Sequence, residues 1–386
     1  MFLFSHTELF LLGTIVFLFM VLTLYYLIVY AKPLFSKTTD TTPHAPTPPI
    51  SVILYAKNDA ENLKKHLPTI LKQNYPTFQV IVVNDGSNDD TEDVLKIFQN
   101  QYKNLYYTYI PSDARYMSRR KLALTLGAKA AKYELLLFTE TNCQPISEHW
   151  LTSIAESYTP ETNIILGFCR YPNHKGFSHK MIAYDNLLSG LRYLAAALLH
   201  HPYTGNGRNL SYRKDLFFKH KGYYKSLNLH AGDDDLFVNE ATDNKNTKAI
   251  FIKDSLTEMD PVLRFNSWKA IKASRAMTQS LYKGSMPILF HIESYCFFLF
   301  QVVSAISMYL ALTTNNYLLF VIVLLLYLTR FIIKAIVFNK SAKMLQQKPN
   351  VGWLLLLEFI HPLFNCYIKI YHFFRRKKDY TFSLER

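Results

Sequence analysis

Leu9 to Ala31 is a run of 23 residues without one charged side chain. A helix needs roughly 20 apolar residues to cross the hydrocarbon core of a bilayer. A signal-peptide core is shorter, about 7–15 residues, and follows a basic start. Here no Lys or Arg precedes Lys32, and no small-x-small cleavage site closes the run. The segment therefore reads as an uncleaved anchor. Lys32 and Lys37 follow it directly, which places the next domain in the cytoplasm by the positive-inside rule.

Two further apolar runs, Ser294 to Thr313 and Tyr317 to Phe338, are separated by Thr314-Asn315-Asn316. They predict a helical hairpin with its tip outside, returning to the cytoplasm at Lys340, Lys343 and Lys348. The last apolar stretch, Val351 to Phe374, is interrupted by Glu358, His361-Pro362, Asn365 and Lys369. A charge at mid-membrane costs about 2.5–3.5 kcal/mol on insertion scales. A fourth full span would also carry Arg375 to Lys378 outside, so this stretch is expected to be bent, re-entrant or interfacial, with a cytoplasmic carboxyl terminus.

Lys+Arg 43 against Asp+Glu 29 leaves +14. Such a balance suits nucleic acid, anionic lipid or phosphorylated substrates. The basic residues cluster beside apolar runs, which favours the membrane and not nucleic acid. Cys143, Cys169, Cys296 and Cys366 have no metal-ligand spacing and read as reduced thiols. Four regions result: an anchor over 1–31, a proline-rich and extended linker over 32–49, a soluble domain over 50–285, and a membrane region with a basic tail over 286–386.

Within the soluble domain, short apolar runs alternate with helical periodicity. Ile50–Tyr55, Phe78–Val83, Leu105–Ile110 and Tyr133–Phe138 read as strands. Asn58 with Glu61 resembles a capping box opening the first intervening helix. Ile182 to Leu199 reads as a core helix, with His200, His201 and Tyr203 near its end as possible neighbours of a site. The alternation predicts an α/β fold, a mostly parallel mixed sheet flanked by helices. Ligands bind such sheets beyond the carboxyl ends of the strands. P-loop, dinucleotide, zincin and nucleophile-elbow motifs are absent from the sequence.

Ser51-Val-Ile-Leu-Tyr-Ala-Lys-Asn-Asp59 and Val80-Ile-Val-Val-Asn-Asp-Gly-Ser87 resemble the opening of family 2 glycosyltransferases. The similarity continues in order through Leu135 to Cys143, Gly205 to Tyr212 and Gly232 to Val238. The resemblance implies the A-type nucleotide-sugar fold, a Rossmann-like arrangement, in a membrane-anchored member of the family. It places Asp59 and Asp85 near the uracil and ribose of the donor, where carboxylates accept from imide and hydroxyl groups. It places Lys121 and Arg275 near the diphosphate. Trp268 to Arg275 keeps the outline of the family's Q-x-x-R-W segment, and it also fits an interfacial helix beside anionic lipid.

Glu140-Thr141-Asn142 stands where the family has D-x-D, so Glu140 and Asn142 are the candidate ligands of Mg²⁺ or Mn²⁺. The departure from two aspartates weakens the expected binding. Gly232-Asp233-Asp234-Asp235 occupies the place of the family's catalytic base. Aligned on G-[ED]-D, Asp234 is the base and Asp233 its neighbour; aligned on the downstream leucine, the base is Asp233.

The implied reaction is inverting transfer from a nucleotide sugar, with a UDP-sugar as expected donor, to a lipid-linked or polysaccharide acceptor. The implied location is a bacterial inner membrane. Rival readings are a non-catalytic scaffold with a degenerate site, and a transporter subunit, which the long soluble block disfavours.

Overall fold

The computed structural model describes residues 4–36, 47–111, 118–349 and 351–374. Its ten strands are β1 Ile50–Ala56, β2 Phe78–Asn84, β3 Leu105–Tyr109, β4 Leu135–Phe138, β5 Cys143–Pro145, β6 Ile164–Leu166, β7 Cys169–Arg170, β8 Leu210–Arg213, β9 Thr247–Ala249 and β10 Thr257–Met259. Seven of them form one sheet in the order β3-β2-β1-β4-β8-β6-β9, and β5-β10-β7 form a small second sheet. In the large sheet β8 runs antiparallel to both its neighbours, and every other pairing is parallel.

The strand sequences explain why this sheet is covered on both faces. Successive side chains of a strand point to opposite sides. Ile53, Ile81, Val83, Leu136 and Phe138 enter one core, with the Arg119–Ala130 and Phe177–Leu198 helices. Val52, Leu54, Val80, Val82, Leu135 and Leu137 enter the other, with Leu63, Leu67, Val94 and Trp150. All these positions are apolar, as a doubly covered sheet requires. The first core is continuous with Ile15, Leu22, Phe300 and Phe338 of the long apolar helices, so the soluble domain and the membrane helices share one packed interior.

Among the described residues, four helices are long and apolar enough to cross a membrane: His6–Tyr30, Ser285–Thr313, Tyr317–Met344 and Gly352–Phe374. The first is α-helical to Leu24 and continues as a π-helix to Tyr30. Glu8 completes a capping box with Ser5 and accepts from Thr314 Oγ1 at 3.1 Å and Asn316 Nδ2 at 3.2 Å. The start of the first helix and the hairpin tip therefore lie on the same side.

Three local expectations need correction. The start of the supposed linker is a short helix, Lys32–Phe35, and residues 37–46 lie outside the described residues, as do Arg375 to Lys378. Asn58 does not cap the next helix. It adopts φ +53°, while Asp89 Oδ2 accepts from Ala60 N at 3.1 Å across the loop. Val351–Phe374 is an uninterrupted helix through Pro362. Glu358 and His361 do not break it because each finds a partner on a neighbouring helix. Glu358 pairs with Arg330 and, at 3.0 Å, with Lys334; His361 Nε2 lies 2.7 Å from Asp185.

The far half of this last helix packs on the Phe265–Gln279 helix of the soluble domain. Trp268 stacks on Phe364 with ring centroids 4.7 Å apart, and Lys269 Nζ donates to Tyr367 Oη at 2.7 Å.

Candidate active site

The register of β4 and β8 builds the centre of the site. Phe138 pairs with Leu210 in this antiparallel ladder, so the residue two beyond Phe138, Glu140, faces the residue two before Leu210, Arg208. Arg208 Nε accordingly donates to Glu140 Oε2 at 2.8 Å. From the other side Arg120, in the first turn of the Arg119–Ala130 helix, donates through Nη2 to Glu140 Oε1 at 3.0 Å and through Nε to Asp233 Oδ2 at 2.8 Å. Burial would raise the Glu140 pKa, but Arg208, Arg120 and Arg275 outweigh it and hold the carboxyl at about 2. Glu140 is thus ionised throughout the physiological range.

The acidic run arrives on a glycine turn. Gly232 has φ +101°, a conformation that disfavours residues with a Cβ, and Asp233, Asp234 and Asp235 then diverge. Asp234 accepts from Gly207 N at 2.9 Å through Oδ2 and from Asp235 N at 2.8 Å through Oδ1, and Arg275 Nη2 stands 3.5 Å away. A Cβ on Gly207 would come within 3.2 Å of Asp234 Cβ, so the Gly-Asn-Gly-Arg turn is shaped to meet this aspartate. Asp235 turns inward, where Thr278 Oγ1 donates to it and Tyr282 Oη does so at 2.7 Å.

Burial and the neighbouring Asp234 push Asp235 up to about 6. Its carboxyl binds protons more tightly folded than unfolded, so its contribution to stability is full below its unfolded pKa and fades as pH rises through about 6. Asp235→Asn keeps an acceptor for Thr278 and Tyr282 but cannot ionise. Its melting temperature relative to the parent should rise between pH 4 and pH 7.5, by the equivalent of about 2–3 kcal/mol. Thermal melts of both proteins across that range check this; a constant difference would rule out ionisation of Asp235 as the cause.

A second pocket of polar groups lies beyond β1 and β2. Because Ala56 pairs with Asn84, Lys57 and Asp85 follow side by side. Asp85 is buried, accepts from Tyr55 Oη at 2.7 Å, and pairs with Lys57 at 3.2 Å and with Arg119. Arg120 lies over the Tyr55 ring at 5.7 Å, which links this pocket to the Glu140 centre. Asp59 sits on the adjoining loop, accepting from Lys57 N at 3.1 Å and Asn62 Nδ2 at 2.9 Å.

Asp233, Asp234, Glu140 and Arg275 are therefore brought together, with Asp85 beside them. Asn142 lies just beyond Glu140, its backbone carbonyl taken by Asp260 N at 2.8 Å. Lys121 is not in this group, which corrects the expectation for it. Its side chain is wholly buried, and its ammonium donates to Ser226 O, Leu229 O and Ala231 O. Burial lowers its pKa to about 8. It anchors the loop that delivers the acidic run, and does not face a ligand. His200 and His201 lie at the surface, and Tyr203 packs on Tyr282 and Phe290.

Arg120 and Arg208 had no assigned role in the sequence analysis. Two signals pointed to them. Three cations, Arg119-Arg120-Lys121, open a helix whose dipole disfavours positive charge there, which points to compensating partners, and Arg119 and Arg120 find them in carboxylates. Arg208 follows a Gly-Asn-Gly turn directly before a strand.

An open mixed sheet with acids and arginines gathered past its strand ends is the architecture of an A-type nucleotide-sugar glycosyltransferase domain. The same fold is found in a mannosyltransferase from Pyrobaculum calidifontis, solved in complex with GDP-Man and Mn²⁺. The likeness has a TM-score of 0.56 at 16% identity, over 92% of this chain and 99% of that one. Residues 51–219 match the family model glycosyl transferase family 2.

Among curated proteins, the chain is 28% identical over 115 residues to a poly-beta-1,6-N-acetyl-D-glucosamine synthase of Staphylococcus epidermidis, 30% of this chain and 27% of that protein. It is 32% identical over 106 residues to the glycosyltransferase AglE of Haloferax volcanii, 27% of this chain and 33% of that one. The matched stretch spans about a third or less of these relatives.

Proposed function

We propose that this protein is a membrane-bound, inverting glycosyltransferase that moves a sugar from a nucleoside-diphosphate donor to a lipid-linked or growing glycan acceptor. The observation that carries the proposal is the meeting of Glu140, Asp233 and Asp234 with Arg120, Arg208 and Arg275 past the end of β4. Guanidinium forks suit a diphosphate leaving group, and a carboxylate nearby suits a general base. Asp85 and Asp59, past the ends of β1 and β2, offer carboxylates suited to nucleoside hydroxyl and imide groups.

Asp233 is the preferred base. Both oxygens of Asp234 are occupied by backbone N–H groups, which fix its orientation. Asp233 accepts from Arg120, which can rotate onto a diphosphate. Asp233 then takes the proton of the acceptor hydroxyl as that oxygen attacks the anomeric carbon opposite the departing diphosphate. Glu140 and Asn142 carry hard oxygen donors of the kind Mg²⁺ or Mn²⁺ takes and would be the residues to hold such an ion. When bound, that ion would neutralise charge on the leaving diphosphate.

The lipid-linked acceptor is supported by the placement of the site. The Phe265–Gln279 helix that carries Arg275 exposes Phe265 and Ile271, is followed by exposed Leu281, and packs on the last apolar helix. Radiolabelled sugar supplied as nucleotide sugar to membranes containing the protein should appear in organic-extractable lipid or in polymer. Label that stays wholly in water-soluble small molecules would count against both acceptors.

The same packing supports a cytoplasmic carboxyl terminus, because the last helix ends against the soluble domain. A reporter fused after Arg386 should be active on the cytoplasmic face; activity confined to the outer face would overturn this topology.

A further inference from the structure

Gln347 ties the connection between the last two apolar helices to the start of the Phe177–Leu198 helix. Its Nε2 donates to Ala183 O at 2.7 Å, and its Oε1 accepts from Tyr171 N at 3.1 Å and Asn186 Nδ2 at 3.0 Å. Two open clefts, of about 200 and 330 Å³, adjoin here and share Ala183, Gln347 and Lys348. The smaller is polar and is lined by Asn173, His174, His179, Lys180 and Lys348. The larger is mostly apolar. Ala335, Phe338 and Ala342, spaced along one face of the Tyr317–Met344 helix, line it with Leu187 and Leu354. Neither lining contains an Asp or Glu among the described residues. The His174 and His179 rings lie 4.1 Å apart, and Tyr171 Oη stands 2.7 Å from His179 Nδ1. Partial burial, and then His174 and Lys180, hold the His179 pKa below its ordinary value, a repulsion that no acid in the lining offsets. Phe177 and Trp353 flank the clefts, both exposed, with ring centroids 5.8 Å apart. Aromatic side chains gather in this way at the membrane–water interface.

We propose that the two clefts form one binding site for an anionic glycerophospholipid of the bilayer: its phosphate meets His174, His179, Lys180 and Lys348, and one acyl chain lies along Ala335, Phe338 and Ala342. A basic pocket between membrane helices suits an anionic head group, and the adjoining apolar cleft suits the chain that a soluble phosphate lacks. The bound lipid would brace the helix connection against the soluble domain. A sugar acceptor must reach Asp233, whereas Glu140, Asp233, Asp234 and their arginines are all absent from these linings, so a bilayer lipid is the occupant that fits. The inference stands apart from the reaction proposed above.

The test uses Trp353 as reporter. The full chain is placed in bilayer discs of phosphatidylcholine that carry a varied fraction of phosphatidylglycerol or of phosphatidylcholine, either one brominated on its acyl chains. Bromine quenches indole fluorescence on contact. Trp150 and Trp268 are buried, and a Trp353→Phe protein supplies their signal for subtraction. Brominated phosphatidylglycerol should half-quench Trp353 at a fraction at least about fivefold lower than brominated phosphatidylcholine, the factor one lysine contributes beside an anionic surface. Lys180→Gln with Lys348→Gln should abolish this preference. Should that protein fail to fold, Lys348→Gln alone, at an exposed position, should at least halve it. Equal quenching by the two lipids, or a preference unchanged in the folded lysine variant, overturns the inference. So does recovery of fluorescence with less polyprenyl phosphate than unbrominated phosphatidylglycerol, since the site would then belong to a lipid-linked acceptor. No sugar nucleotide is present, so failure here leaves the glycosyltransferase reading untouched.

Discussion

Asp233→Asn is expected to lower sugar transfer by about 10²–10⁴-fold, the usual contribution of a positioned general base, while donor affinity changes little. Asn is nearly isosteric and can still accept from Arg120, so the local packing survives. It cannot take a proton from the acceptor hydroxyl. Loss of kcat without loss of donor affinity identifies an interaction made mainly in the transition state. Asp234→Asn should behave differently. Its amide presents one oxygen where two backbone N–H groups, of Gly207 and Asp235, now find two, so the variant should lose stability as well as rate. Turnover with both variants, beside melting temperatures, separates the roles. If Asp234→Asn is the dead but stable enzyme, the roles of the two residues are exchanged.

Glu358→Ala is expected to destabilise the protein by about 3–5 kcal/mol, the cost of removing one partner from a buried ion pair. Glu358 is the carboxylate that Arg330 and Lys334 share, and all three side chains are almost fully buried between helices. Arg330 also lies over the rings of Phe297, Phe300 and Tyr327, at 5.2–5.4 Å. Those rings attract a cation but cannot replace the missing charge. Two adjacent buried cations would then repel one another. Exposed Lys343 provides the comparison, since its truncation should stay within about 0.5 kcal/mol. Melting in detergent reads both. A change under about 1 kcal/mol for Glu358→Ala would mean that water or lipid phosphate already reaches the cluster.

The same residues show what a sequence exposes and what it hides. The alternating apolar runs of β1, β2 and β4 were legible because both faces of a doubly covered sheet demand apolar side chains. The acidic ends of those strands were legible because polar loops gather there. Arg208 was quoted within its motif and left without a role, since its position opposite Glu140 depends on β8 running antiparallel to β4. No local pattern encodes that pairing. Lys121 was misread for the converse reason. A lysine at a helix start reads as free to meet a diphosphate until the loop at Ser226–Ala231 folds over it.

The continuity of the helix through His361-Pro362 was hidden in the same way. The cost of Glu358 and His361 in an apolar helix is offset by charges more than 20 residues away in sequence, Arg330, Lys334 and Asp185. Partners that meet only in the tertiary fold decided each of these cases.

The most direct measurement of the central claim is release of nucleoside diphosphate by the purified full chain in detergent. It would be offered a panel of UDP- and GDP-sugars with a membrane lipid extract and Mn²⁺ or Mg²⁺, with Asp233→Asn as the paired blank. The account predicts that at least one sugar nucleotide yields diphosphate at a rate the Asp233→Asn protein reduces by about 10²-fold or more. Binding of donors with no release above that blank would contradict it and leave a nucleotide-binding membrane scaffold in its place.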